Sequence, residues 1–207
     1  MTATLRDRRR AELREQLVLA ALRLFADRGF NEVTVEEIAQ QAGVSLSTLF
    51  RHVSCKDDLL AEAVRTGRAQ IVANFRQRPA VEPAAEALAH AILGRTEQFA
   101  DEGATMELWR RAMSSAPARV RRAALLDEAE RGRLIVLVAA RAADADELAA
   151  GVLAADELAA GVLVQTMLAA AEYAYEYWLR QPAGPSLHQL TQRALELASG
   201  RTLPGPH

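Results

Sequence analysis

The chain reads as all-α, a small N-terminal three-helix domain followed by a larger helical one. Apolar residues recur at three- and four-residue spacing along most of its 207 residues, glycines and prolines punctuate those stretches, and no segment alternates as a half-buried strand would. Its length suffices to bury a substantial core. The first helix is expected from about Asp7 to Arg28, with Leu13, Leu17, Ala20, Ala21, Leu24 and Phe25 on one face and Gly29 ending it.

The run from Thr34 to Lys56 is the densest signal. Thr34 is a helix N-cap with Glu37 as its capping-box partner, and Val33 is placed to staple against Ile38. Val35, Ile38, Ala39 and Ala42 make one apolar face, and Gly43 closes the helix in the left-handed conformation. Ser45 caps a second short helix, Leu46 to about His52, whose inner face is Leu49 and Val53. Its outer face is Leu46, Ser47, Thr48, Arg51 and His52, free of carboxylates, which suits an approach to phosphates. Ser54, with Asp57 at the third helical position, caps a third helix. The first turn of that helix carries Lys56, the chain's single lysine, where a phosphate ligand would offset the helix dipole.

The segment G-V-S-L-S-T-L-F-R-H-V-S-C-K, preceded by R-G-F-N-E-V-T-V-E-E-I-A, closely resembles the DNA-binding domain of TetR-like transcriptional regulators over residues 12 to 64. Phe50 stands where many members have Tyr, and Val53 where many have Phe. Without a phenol, Phe50 is expected to support the recognition helix by packing. The resemblance implies a helix-turn-helix, with Leu46, Ser47, Thr48 and Arg51 reading bases in the major groove and Thr34, Ser45, Phe50, His52 and Lys56 holding the backbone.

Charge distribution agrees with this reading. The net charge is −2, yet residues 1 to 56 hold nine basic against seven acidic side chains, and the remainder sixteen against twenty. Arg6, Arg8, Arg9, Arg10 and Arg14 form a basic arm, either following a groove or solvated. No apolar run reaches the eighteen or so residues of a membrane span, and residues 1–10 lack the apolar core of a signal peptide, so a cytoplasmic location without membrane contact is expected. A single cysteine, Cys55, excludes an internal disulfide and a cysteine-rich zinc site. There is no Glu-x-x-His pair, no glycine-rich phosphate loop and no metal-ligand spacing among His52, His90, His188 and His207. Neither catalysis, cofactor nor metal is expected.

Beyond the motif, a helix from about Cys55 to Arg76 is long enough to connect the two domains. Pro79 and Pro83 break the chain, and helices are expected near Ala84 to Phe99, Thr105 to Met113 and Ala118 to Ala140. The expected organisation is an arm and helix-turn-helix domain over 1–54, a connecting helix over 55–78, an effector-binding and dimerisation domain over 79–203, and a tail over 204–207. The octapeptide DELAAGVL occurs at Asp146 to Leu153 and again at Asp156 to Leu163. Ten helical residues rotate about 1000°, some 80° short of whole turns, so the copies cannot share a face. The repeat reads as a duplication lengthening a helix or its preceding loop.

A helix ending near Gln181 is rich in small residues, including Ala170 and Ala174, with Trp178 beyond them. Ser186 and Gln189 cap a last helix with Leu187, Leu190, Ala194 and Leu197 as its apolar stripe. In TetR-like proteins the last two helices pair with their copies, which implies a homodimer through these residues. The family also implies a small-molecule effector that tilts the connecting helix and releases a palindromic duplex operator. Met106, Trp109, Met113 and Met167, with His90, Glu172 and Tyr173 as polar partners, are the candidates to line an apolar effector pocket. The expected function is thus a ligand-responsive repressor, the alternative being a constitutive DNA-binding protein with a filled core.

Overall fold

The computed structural model describes residues 5–100, 104–117, 120, 128–150, 157–181 and 183–200. Among these residues every regular element is an α-helix: α1 Leu5–Arg28, α2 Val35–Gln41, α3 Leu46–Phe50, α4 Lys56–Gln77, α5 Ala84–Ala100, α6 Ala104–Ser114, α7 Glu128–Ala150, α8 Glu157–Arg180 and α9 Leu187–Ser199. Of the helix expected over 118–140, the part from Glu128 onward is described, and most of 118–127 lies outside the described residues. So does the expected tail over 204–207.

The chain divides into two compact units: Met1–Arg65 with Gly103–Ala124, and Thr66–Glu102 with Leu125–His207. In the first, Leu17, Ala21 and Phe25 of α1 are buried with Ile38, Leu49, Leu59 and Leu60, the inward positions of α2, α3 and α4. The rings of Phe25 and Phe30 meet at 5.0 Å. Gly29 leaves α1 at φ +89, a conformation that a side chain disfavours. Helix α6 joins this unit and satisfies the polar groups exposed where α1 ends. Arg111 donates to the Ala26 carbonyl at 2.8 Å, and Ser115 Oγ accepts from the Phe30 N–H at 2.9 Å.

The second unit is built on Ile71, Phe75, Leu88, Ile92, Leu134, Val138, Val164, Met167, Leu168 and Leu195, drawn from five helices. Arg141 of α7 fastens the end of α4: its guanidinium donates to the carbonyls of Phe75, Arg78, Pro79 and Glu82 at 2.6–3.4 Å. The same group lies 4.9 Å from the Phe75 ring centre. These carbonyls include orphans of the helix terminus, and a cation there also meets the negative end of the dipole.

Helix α8 is the one described helix long and apolar enough to cross a membrane, with mean hydropathy 1.2 over its best window. That exceeds the sequence expectation, and its cause is the aliphatic residues from Leu158 to Leu168 together with the alanines. Val164, Met167, Leu168 and Ala171 of this helix are spent on the protein's own core.

On α9 the capping box forms as expected, and Thr191 and Leu195 face inward. Leu187, Leu190 and Ala194 remain half-buried, and Leu197 is 68% exposed. On α8 the expected interface requires a correction: Ala174 and Trp178 are buried within the protomer, whereas Tyr173 is 66% exposed. The outward stripe runs through Val162, Thr166, Ala169, Tyr173 and Tyr177, at helical spacing and one position off the expected set, with Ala170 half-buried beside it. The repeated octapeptide is divided between helices. Asp146 to Ala150 of the first copy lie in α7 and Glu157 to Leu163 of the second lie in α8, the residues between being outside the described ones.

Candidate nucleic-acid interface

Helices α2 and α3 are fixed by local chemistry. Thr34 Oγ1 accepts from the Glu37 N–H at 3.3 Å and Glu37 Oε2 accepts from the Thr34 N–H at 2.8 Å, closing the capping box. The Thr34 N–H and the Arg28 guanidinium, 2.6 Å from Oε1, hold the Glu37 carboxyl below its ordinary pKa. At the other end Gly43 takes φ +68, its N–H donates to Gln40 O, and the Val44 N–H donates to Ala39 O. These two bonds form a Schellman closure that needs the left-handed residue.

Ser45 Oγ then accepts from the Thr48 N–H at 3.2 Å and lies within 3.0 Å of the Ser47 and Thr48 hydroxyls. The exposed edge of α3 is therefore a cluster of hydroxyls, with no acid in its first turn. Leu49 and Val53 are buried beneath it. Leu46 and Thr48 are half-buried, while Thr34, Ser45, Ser47 and Arg51 are exposed. Phe50 is 50% exposed and so corrects the expectation that it acts by packing alone. Helix α3 is also shorter than expected, although the His52 and Val53 N–H groups still donate to Leu49 O.

Two features at the start of α4 differ from the sequence reading. The Ser54 N–H donates to the Asp58 carboxylate at 3.0 Å, not to Asp57, because the helix begins at Lys56, one residue later than the expected cap requires. Lys56 Nζ donates to Phe30 O at 2.6 Å and Val33 O at 2.9 Å, 4.4 Å from the Phe30 ring centre. Two carbonyl dipoles thus supply the negative potential that an ammonium at a helix N-terminus requires. Cys55 is exposed.

Sequence reasoning missed the companion of α3. An open cleft of about 560 Å³ is lined by Arg6, Arg9, Arg10 and Leu13 of α1 together with Thr48, Arg51 and His52. The signal was present in the spacing, because Arg6, Arg9, Arg10 and Leu13 fall at i, i+3, i+4 and i+7 of a helix, so the arm is a helical face and not a tail. No ion pair holds Arg6, Arg9, Arg10 or Arg51 among the described residues. Burial and the charges of Arg10, Arg14 and Arg51 push the His52 pKa down from 6.5. Uncompensated cations converging on one concavity create a field that draws a polyanion.

The candidate effector residues are divided between the two units. Met106, Trp109 and Met113 lie on α6 in the first unit, while His90, Met167, Glu172 and Tyr173 lie in the second. Met167 is fully buried core, and Glu172 lies 3.8 Å from Arg131. Tyr173 faces outward, and His90 Nδ1 is 2.5 Å from Glu82, which also takes two bonds from Arg78. Periodicity identified the apolar residues correctly but could not tell packed core from lining.

The model of the bacterial regulatory proteins of the tetR family matches residues 17–63. The HTH-type transcriptional regulator TcmR of Streptomyces glaucescens is 31% identical over 143 residues, covering 66% of this chain and 63% of that protein. The chain thus matches less than two thirds of that relative's length. Among solved structures, a TetR-family regulator from Streptomyces coelicolor superposes with TM-score 0.53 at 17% identity, covering 92% of this chain and 94% of the other. SmeT, the repressor of the Stenotrophomonas maltophilia multidrug efflux pump SmeDEF, gives TM-score 0.61 at 17% identity over 94% and 96%. The chain is TetR-like: residues 17–63 match the tetR family of bacterial regulatory proteins, and the helical chain shares the fold of the solved TetR-family regulator.

Proposed function

We propose that the protein is a cytoplasmic, dimeric transcriptional regulator that binds duplex DNA and is released by a small apolar effector, acting as a repressor. The carrying observation is the acid-free edge of α3 beside Arg6, Arg9, Arg10 and Arg51, whose guanidiniums form no ion pair among the described residues. Leu46, Ser47, Thr48 and Arg51 read base edges in the major groove. Thr34, Ser45, Phe50 and His52 meet the backbone, and Lys56 does so through the one N–H that Phe30 and Val33 leave over. The arginines of α1 follow the adjoining phosphates.

Two protomers pair through the outward faces of α8 and α9, so that the dimer offers two reading helices to a pseudo-palindrome. An effector held in the second unit acts by binding one conformation more tightly than the other. Selection of bound fragments from a random duplex library tests the reading. It should return a palindrome with half-sites about one helical turn apart. Absence of any salt-sensitive duplex binding would refute it.

The complete burial of Leu88, Leu134 and Met167 favours a second reading, a filled body with no effector. A thermal-shift panel of small apolar compounds separates the two, since only a sensor gains melting temperature.

A further inference from the structure

We propose that His52 takes up a proton from solvent when a DNA strand enters the α1–α3 cleft, so that each protomer gains one proton on binding and the complex tightens as pH falls. This rests on the DNA-binding reading above and adds a regulatory input to the same site.

The geometry around the imidazole supports it. His52 is half-buried at the foot of α3 and lines the cleft, and its Nδ1 is buried without a hydrogen-bond partner. From α1 it meets Arg6, Arg9, Arg10 and Leu13 around the cleft, and Arg14 donates to its carbonyl oxygen at 3.5 Å. From α3 come Arg51 and the Thr48 hydroxyl, the latter already engaged with Ser45. At the start of α4, Asp58 accepts from the Ser54 N–H and Lys56 is held by Phe30 and Val33, and neither Asp57 nor Asp58 is among the charges that shift the ring. The charges that do act on it, those of Arg10, Arg14 and Arg51, are all positive.

In the free protein, burial and that repulsion therefore keep the ring neutral at pH 7. A phosphodiester strand reverses the second influence, and its charge has to outweigh the further burial it brings. Its fixed negative charges compensate the guanidiniums of Arg10, Arg14 and Arg51 and so favour the imidazolium. The pKa of His52 is thus higher in the complex than in the free protein. A group with that sign takes up a proton on binding, so affinity rises as pH falls through the window between the two values and is flat above it. The slope is at most about tenfold per pH unit per protomer, the limit for one proton.

The probe is a mixed-sequence duplex of about 30 base pairs at low salt, where phosphate contacts dominate binding. Anisotropy titrations from about pH 5.5 to 8.5 at fixed ionic strength span the histidine range. They should show affinity rising several-fold toward acid, and calorimetry in two buffers of different ionisation enthalpy should count up to one proton per protomer. His52→Gln should flatten the slope and remove the uptake whatever its affinity, and His188→Gln should keep both. A flat wild-type profile with intact binding would overturn the proton linkage alone, as would a His52→Gln slope equal to wild type. Failure to bind duplex at any pH would remove the DNA-binding reading and the linkage with it.

Discussion

Lys56 Nζ lies 2.6 Å from the carbonyl oxygen of Phe30 and 4.4 Å from the centre of the same residue's ring, so one ammonium grips both the backbone and the side chain of the loop after α1. With its second bond, to Val33 O, it ties the entrance of α4 to the entrance of α2. The lysine is thereby a brace of the reading head.

Lys56→Met should lower the stability of the first unit by about 1–3 kcal/mol, since two charge-assisted bonds vanish and two carbonyls lose their donor. Urea denaturation checks this. Duplex binding should weaken alike for all sequences, and a variant as stable as wild type would show that the brace is dispensable.

Replacing Arg6, Arg9 and Arg10 together by Gln should reduce the slope of log affinity against log salt by about 2–3, close to 0.9 for each phosphate that is no longer neutralised. An unchanged slope would show that the cleft does not meet the backbone. Thr48→Ala, in contrast, should change which operator position tolerates substitution and leave the salt slope intact.

Much of this head is legible in the sequence because its signals are local. The Thr34–Glu37 box, Gly43 and the Ser45 cap each act within four residues, so spacing alone positions α2 and α3. The partners of Lys56 lie 23 and 26 residues away in the chain, and no spacing rule encodes them. The α1 arginines stand out as a basic run, but their meeting with Arg51 and His52 requires the tertiary fold. The outward face of α8 lies one helical position from the one its small residues suggest, because alanine fits a close approach on either side of a helix.

Glu82 provides a pH-dependent fastening in the second unit. Burial raises its pKa, but the hydrogen bonds and charges of Arg78 and His90 outweigh that and bring it below 4.5. A carboxyl depressed on folding contributes stability above its unfolded pKa and loses it as pH falls through the folded value. Glu82→Gln should therefore flatten the acid limb of the melting-temperature profile below about pH 4.5, where unpaired carboxyls ordinarily titrate. An identical acid limb would place the sensitivity elsewhere.

Arg141→Met keeps much of the aliphatic stem over Phe75 and removes every bond to the carbonyls around the end of α4. A loss of about 2 kcal/mol is expected, with the last turn of α4 exchanging its amide hydrogens faster. Hydrogen exchange over 74–82 reports it directly.

If the proposed dimer forms through α9, Leu197→Arg should convert it to monomers in sedimentation without lowering helix content, because the side chain is largely exposed in the protomer. Leu190→Arg should do the same. A dimeric mass for both variants would move the self-association surface away from α9.

The last described residues of α7 and the first of α8 come from two copies of one octapeptide. Excision of ten residues from either copy yields one and the same chain, with the body of α8 still entered through Asp-Glu-Leu-Ala-Ala. Growth or shrinkage at this joint can therefore proceed in whole modules while the rest of the molecule keeps its wording.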